Sequence, residues 1–202
     1  MCDQADDENR FRALTALAAV CLTLAGCARD GTAPSAARAH PAAGAPAAFG
    51  TVDCRHAKCV ALTFDAGPSE NSARLLDILK EEQVPATFFL LGARHIEKYP
   101  ELVVRMAAEG HEVANHTWDH RIEVLWSVTA KDCTTTDSEL ITRRVLGQAS
   151  RDGIILLHDI YAGTVPAVPG IIDALKERGY AFVTVPQLPA PGRAEPGKVY
   201  RS

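Results

Sequence analysis

The strongest constraint on the fold is an apolar strand pattern that ends at a carboxylate and then breaks. The run 60–64 reads Val-Ala-Leu-Thr-Phe and is followed by Asp65 and, one residue later, by a Gly-Pro pair. Strands that deliver an acid to a sharp turn are how α/β folds present functional groups at the carboxyl ends of a sheet. Two later stretches repeat this arrangement, Val113–His120 and Ile154–Asp159, and both end in histidine and aspartate side chains.

Strand patterns alternate with helical patterns along residues 54–188. The predicted strands are Val60–Phe64, Ala86–Leu91, Glu112–Asn115, Glu123–Val128, Gly153–His158 and Ala181–Val185. Four helices are predicted. The first follows Asn71 as N-cap, and the second starts at Pro100 and stops at Gly110. The third runs from about Ser138 through Val145, and the fourth spans Gly170 to Arg178. This alternation predicts an α/β fold with a mainly parallel sheet.

Three motifs in these stretches resemble those of the NodB-like polysaccharide deacetylases, a family of metal-dependent carbohydrate N- and O-deacetylases. They are Thr63-Phe64-Asp65 with the Gly-Pro that follows, the pair His116 and His120, and Leu156-Leu157-His158. A histidine pair with three residues between its members is weak evidence alone, since surface histidines are common, but its place after a strand makes it more specific. The resemblance covers nearly all of residues 54–188 and implies a distorted (β/α) barrel.

The length of the domain predicts that this barrel is incomplete. Residues 54–188 number 135, whereas a full barrel needs roughly 200 or more. Parallel neighbouring strands need a crossover of about a dozen residues, yet only Arg121 and Ile122 separate His120 from the next predicted strand. In the family, a helix, a strand and an Arg-x-Pro loop lie at this point. We therefore expect an incomplete, distorted barrel that lacks a central block.

The resemblance also implies roles for four side chains. Asp65 matches the base that takes a proton from the attacking water, and His158 matches the acid that protonates the leaving amine. Asp132 matches the carboxylate that orients this histidine, and Leu156 matches an apolar wall of the pocket. A turn-capping carboxylate is the alternative for Asp65, and an ordinary core leucine is the alternative for Leu156.

The implied cofactor is a divalent metal, zinc by preference, held by His116 and His120. The family's third ligand is an aspartate at the position of Ala66, and alanine has no ligand atom. Two imidazoles without a carboxylate make a weak site, although His111 or Asp119 could substitute.

These features predict a hydrolase of the C–N amide bonds of N-acetylated cell-wall or chitin-like glycans that is weakly active or inactive. The missing block would carry an arginine that pairs with Asp65 and a backbone amide that helps to hold the oxyanion. The alternative is a non-catalytic envelope glycan-binding lipoprotein. A metallohydrolase of non-sugar amides and an internally deleted product that does not fold stably also remain open.

The net charge of the chain limits the classes of molecule that it can bind. The net charge is −4 and the pI is about 6.0, so the chain has no basic field for nucleic acid. We expect an N-acetylated polysaccharide as substrate and a monomeric protein.

The first residues predict export. Residues 1–27 read as a lipoprotein-like signal peptide, because the apolar run 13–25 is too short to span a bilayer and ends in Leu24-Ala25-Gly26-Cys27, which resembles a lipobox. A buried core helix is the alternative. Residues 28–53 read as an Ala/Pro/Gly-rich linker, and residues 189–202 as a disordered tail. We expect lipidation at Cys27, and a protein anchored at the bacterial cell membrane or secreted.

The remaining cysteines agree with an oxidising compartment. Cys54 and Cys59 have four residues between them and predict a small disulfide loop before the first strand. A metal site there is the weaker interpretation, because His56 alone is nearby. The pattern assigns no partner to Cys133.

Overall fold

A computed structural model of the chain describes residues 49–115 and 126–188. These residues form one parallel sheet with helices on one of its faces. The strands are β1 Lys58–Asp65, β2 Thr87–Leu90, β3 Glu112–Asn115, β4 Val128–Thr129, β5 Gly153–Leu157 and β6 Tyr180–Val183. The strand order is β3-β2-β1-β5-β4, and β6 pairs with β1. All pairings are parallel, so the carboxyl ends of the strands meet at one edge.

Four of the five described helices bury apolar side chains against one face of this sheet. The five helices are α1 Ser72–Glu81, α2 Gly92–Lys98, α3 Pro100–Ala108, α4 Ser138–Gln148 and α5 Thr164–Glu177. In β1, residues 60, 62 and 64 join the main hydrophobic cluster together with residues of α1, α3, α4 and α5. Because side chains alternate along a strand, Thr63 and Asp65 lie on the opposite face, away from the helices.

The described part of the sheet is not closed into a barrel. Its two edge strands are β3 and β4, and each pairs with one other described strand. These are the strands on either side of residues 116–125, which lie outside the description. The fold is therefore α/β with an open, incomplete barrel. Within residues 49–115 and 126–188, no helix is long and apolar enough to cross a membrane.

The structure corrects three element predictions. Of the strand predicted at Glu123–Val128, residues 123–125 lie outside the description, residues 126 and 127 are not strand, and Val128 begins β4. The helix predicted from Gly170 begins six residues earlier at Thr164. Pro166 lies in the first turn of this helix, where the amide hydrogens have no intrahelical acceptor, so a proline there costs no hydrogen bond. Helix α2 was not predicted at all.

All three cysteines within residues 49–115 and 126–188 form disulfides. Cys54 and Cys59 are bonded to each other, with Cα atoms 5.5 Å apart. Cys133 is disulfide-bonded as well, so the assignment that left it without a partner is wrong. Several predictions concern residues outside the description: the signal peptide with Cys27, most of the linker 28–53, the ligands His116 and His120, and the tail 189–202.

Candidate active site

Asp65 and His158 come together because β1 and β5 are neighbours in register. Phe64 pairs with Leu157, so the next residue on each strand places Asp65 beside His158 at the carboxyl edge of the sheet. Asp65 is 3% exposed. The pairing of β1 with β5 is reinforced by Thr63, whose Oγ1 donates a hydrogen bond to the carbonyl oxygen of Ile155 at 3.0 Å.

His158 is held by Asp132, a carboxylate that is 1% exposed. One oxygen of Asp132 lies 3.0 Å from Nδ1 of His158, and the other accepts the backbone N–H of His158 at 2.7 Å. That second oxygen also accepts the hydroxyl of Thr164 at 2.8 Å. Because a carboxylate only accepts hydrogen bonds, Nδ1 carries a proton and Nε2 remains the ring nitrogen available to a substrate.

The environment shifts both titrating groups toward neutral pH. Burial raises the pKa of Asp65 to about 6, with the charge of His158 opposing this and that of Asp132 adding to it. Burial pulls the pKa of His158 down, but the hydrogen bond and charge of Asp132, helped by Asp65 and Asp159, outweigh it and leave that pKa above its ordinary value. The pair therefore combines a carboxylate and an imidazolium suited to proton transfer near neutral pH.

The raised pKa of Asp65 predicts that this carboxylate destabilises the fold when it is ionised. Its folded-state pKa of about 6 exceeds the ordinary value of 3.8. The free energy of unfolding is therefore highest below pH 3.8, where Asp65 is protonated in both states, and it falls as the pH rises from 3.8 through 6. In metal-free protein, Asp65→Asn should raise the free energy of unfolding at pH 7 by about 2 kcal/mol. Urea unfolding between pH 4 and pH 8 measures this, and a gain that does not grow between pH 4 and pH 6 would contradict it.

Ala66 occupies the turn directly after Asp65 in a left-handed conformation with a φ of 65°. Its N–H donates to the carbonyl of Phe89 at 3.1 Å, and the residue is 6% exposed. Alanine adopts this backbone region less readily than aspartate or asparagine. The backbone at position 66 therefore suits an aspartate better than the alanine that is present.

The described residues do not make a metal site. Ala66 offers no ligand atom, and residues 49–115 and 126–188 contain no group of three or more His, Cys, Asp or Glu side chains placed to hold an ion. His111 does not substitute, because it is 6% exposed and lies between the rings of Phe49 and Phe88. Its Nδ1 accepts the N–H of Ala86, and burial lowers its pKa to about 4. His111 is a core histidine.

Leu156 lies on the same side of the sheet as Asp65. It pairs with Thr63 and is 8% exposed, while its neighbours Ile155 and Leu157 belong to the main hydrophobic cluster. This alternation places Leu156 on the face opposite the helices, next to Asp65 and His158.

Several residues that complete the site belong to no motif recognised in the sequence. Thr164 bonds Asp132, and the ring of Tyr161 meets that of His158 edge-on at 5.6 Å between centroids. Asp159 is fully buried and contacts Ser72 at the start of α1. The one signal in the sequence was the position of Asp159, directly after His158.

Comparisons with known proteins show the family of the chain. A family model described as polysaccharide deacetylase matches residues 53–151. A peptidoglycan-N-acetylglucosamine deacetylase of Bacillus cereus is 32% identical, over 64% of this chain and 67% of that protein. A chitooligosaccharide deacetylase of Bradyrhizobium sp. is 30% identical, over 67% of this chain and 93% of that protein. The chain belongs to the polysaccharide deacetylase family.

Solved structures share the fold of this polysaccharide deacetylase family member. A T48 deacetylase with substrate superimposes with a TM-score of 0.68 at 34% identity, covering 75% of this chain and 100% of that one. The peptidoglycan deacetylase PdaC from Bacillus subtilis superimposes with a TM-score of 0.62 at 32% identity, covering 68% and 92%. Some relatives are much longer: the chain spans 38% of the peptidoglycan-N-acetylmuramic acid deacetylase PdaC of Bacillus subtilis.

Proposed function

We propose that this protein is a hydrolase of the acetamido groups of N-acetylated cell-wall or chitin-like glycans, and that its turnover is low. The observation that carries the proposal is the pairing of Asp65 with His158 at the carboxyl ends of two neighbouring strands, with His158 held by buried Asp132. The relatives support the substrate class, because they include deacetylases of peptidoglycan and of chitooligosaccharides.

Asp65 and His158 carry out the two proton transfers of amide hydrolysis. Asp65, ionised above its pKa of about 6, accepts a proton from a water whose oxygen bonds to the acetyl carbonyl carbon. The C–N bond then breaks, and His158 donates the proton on Nε2 to the departing nitrogen. The products are acetate and a free amine on the sugar. Asp132 keeps Nδ1 protonated and stabilises the imidazolium before transfer.

Low turnover is proposed because two parts of the machinery are missing. Ala66 stands where the resemblance implies a metal-binding aspartate. The central block would supply an arginine and an oxyanion donor, and loss of one such donor costs on the order of 10²–10³ in rate. The alignment with the Bacillus subtilis relative supports the absence of this block. It is 181 residues long, yet 65% of this 202-residue chain is about 131 residues, so about 50 positions have no counterpart here.

A non-catalytic glycan-binding lipoprotein is the second candidate, and Ala66 is the observation that favours it. Two measurements on one preparation separate the candidates: acetate released from N-acetylated chitooligosaccharides and peptidoglycan fragments, and binding of the same glycans by calorimetry. Release that disappears in His158→Ala supports the hydrolase. Glycan binding with no release in the wild type or in any repaired variant supports the binding protein.

Metal binding is proposed to be weak and to improve when a carboxylate is restored. We expect zinc to bind through His116 and His120, and Ala66→Asp to tighten binding because it adds an oxygen ligand on a backbone that suits aspartate. Isothermal titration of both proteins with zinc measures the difference. Ala66→Ser, which lacks the charge, is the matched control. Equal affinities for wild type and Ala66→Asp would show that position 66 is not at a metal site.

Anchoring through a lipid on Cys27 is proposed from the sequence. The wild-type protein should be found in the membrane fraction of a bacterial host, and Cys27→Ala should release or mislocalise it. Stable anchoring needs more than one acyl chain, since a single chain binds membranes only marginally. Asp137→Ala, which lies outside the lipobox and changes no cysteine, is the control. Uncleaved wild-type protein in the soluble fraction would count against lipidation.

A further inference from the structure

The backbone after His158 is fastened to the turn that follows Asp65. Asp159 is fully buried, and its carbonyl oxygen accepts two side-chain hydrogen bonds from that turn. The hydroxyl of Ser69 donates at 3.0 Å, and the amide Nδ2 of Asn71 donates at 3.0 Å. Two residues about ninety positions away in the sequence thus hold the main chain next to His158.

The carboxylate of Asp159 holds the first residue of helix α1. The hydroxyl of Ser72 donates to Oδ2 of Asp159, and the same hydroxyl oxygen accepts the N–H of Ser69 at 2.7 Å. Helix α1 has no acidic residue in its first turn, and the side chain of its N-cap, Asn71, makes no capping bond. From the loop after β5, Asp159 therefore supplies the negative charge that helix N-termini favour.

Gly67 completes the contact by its lack of a side chain. A Cβ atom built on Gly67 would lie 2.7 Å from Oδ1 and 3.0 Å from Oδ2 of Asp159. The first distance is shorter than real Cβ atoms show and the second is tighter than most, so a larger residue at position 67 must displace the carboxylate or the turn. Gly67 is two residues from Asp65, so the contact lies in the turn that directly follows the candidate base.

Stability alone does not explain this carboxylate. Among the described residues, Oδ1 of Asp159 accepts no hydrogen bond. Burial raises the pKa of Asp159, which the hydrogen bond from Ser72 only partly opposes. A buried carboxylate with one oxygen unsatisfied is a costly way to join two loops. Its benefit is geometric, because it joins the loop that carries His158 to the turn that carries Asp65.

We propose that Asp159 is a positioning residue that, through Ser72 and Gly67, fixes the turn after Asp65 relative to His158. The group formed by Asp159 with Gly67, Ser69, Asn71 and Ser72 is called the Asp159 clasp below. Its catalytic meaning rests on the proposed function, but its structural effect does not. Opening the clasp should loosen the turn 66–72 and alter the setting of His158 while the rest of the fold stays intact.

Hydrogen exchange of the full chain tests the structural effect. Asp159→Asn and Ser72→Ala should speed exchange of the amides of Ser69, Asn71 and Ser72 by at least about tenfold, while amides of β1 and β5 keep their protection. The matched control is Asp137→Ala, which removes the acidic N-cap of α4, where the carboxylate accepts the N–H of Leu140 at 3.0 Å. The control should leave exchange in residues 66–72 unchanged.

The imidazole NMR signals of His158 test the positioning effect. Their titration midpoint should fall in Asp159→Asn and in Ser72→Ala, although Ser72→Ala changes no charge, and should stay at the wild-type value in Asp137→Ala. Ser72→Thr keeps the hydroxyl and should restore both readouts. If Asp159→Asn does not fold, the three proteins wild type, Ser72→Ala and Ser72→Thr decide the matter.

Wild-type exchange in residues 66–72 together with an unshifted His158 midpoint in Ser72→Ala would overturn the proposal. Both readouts are independent of acetate release. Faster exchange and a shifted midpoint in a protein that releases no acetate would therefore uphold the clasp while the proposed hydrolase fails.

Discussion

Replacing Asp132 by alanine is expected to lower the free energy of unfolding by about 3–5 kcal/mol. The carboxylate is buried and accepts three hydrogen bonds, from the backbone N–H and Nδ1 of His158 and from the hydroxyl of Thr164. Alanine leaves all three donors buried without an acceptor. The pKa of His158 should fall below its ordinary value, because burial lowers it and the hydrogen bond and charge of Asp132 would no longer raise it.

Urea unfolding and the NMR titration of His158 measure the two effects. Asp132→Asn is the isosteric comparison, since it removes the charge but keeps one acceptor oxygen, and it should cost less stability than alanine. Asp137→Ala, at an exposed cap, should cost about 1 kcal/mol. A loss for Asp132→Ala no larger than that of Asp137→Ala, with His158 titrating as in the wild type, would show that Asp132 does not hold the histidine.

Restoring the missing parts together is expected to raise turnover by at least about 10²–10³ over the wild type. The repair inserts the central block of an active relative after His120 and replaces Ala66 by aspartate. Catalytic groups that act as a unit are not additive. Ala66→Asp alone should therefore recover little, because the arginine and the oxyanion donor stay absent, and insertion alone should recover little without the carboxylate at position 66.

The rate of acetate release from N-acetylated chitooligosaccharides is compared for four proteins: the wild type, Ala66→Asp, the insertion alone, and the insertion combined with Ala66→Asp. The repaired chain carrying His158→Ala is the control, and its activity should collapse to the wild-type level or below. Full recovery by Ala66→Asp alone would show that the central block is not needed. A repaired chain that folds but keeps wild-type turnover would contradict the assignment of the defect to these two parts.

Much of the site follows from local patterns. Asp65 comes directly after one predicted apolar strand and His158 is the last residue of another, and parallel pairing of those strands brings the two side chains together. Asp132 follows the two-residue β4, and no strand pattern marked its place. Its role came from the family resemblance, and the structure supplies the physical contact.

The remaining features depend on contacts that no local pattern encodes. The bond between Ser72 and Asp159 joins residues 87 positions apart, and nothing around either residue distinguishes it from a surface helix start or a loop acid. Helix α5 begins at Thr164, six residues before the predicted start, and it contains Pro169, because tertiary packing of its buried face outweighs the low helix propensity of proline. The disulfide of Cys133 was missed because spacing alone does not assign partners over long distances.

The most direct test of the central claim is acetate release by the full-length wild-type chain, measured beside Asp65→Asn on N-acetylated chitooligosaccharides and peptidoglycan fragments. The site geometry together with Ala66 and the absent block predicts little or no acetate from the wild type, and none above background from Asp65→Asn. Robust release by the wild type that disappears in Asp65→Asn would confirm the site and contradict the proposed low turnover. Release that persists in Asp65→Asn would contradict the site itself.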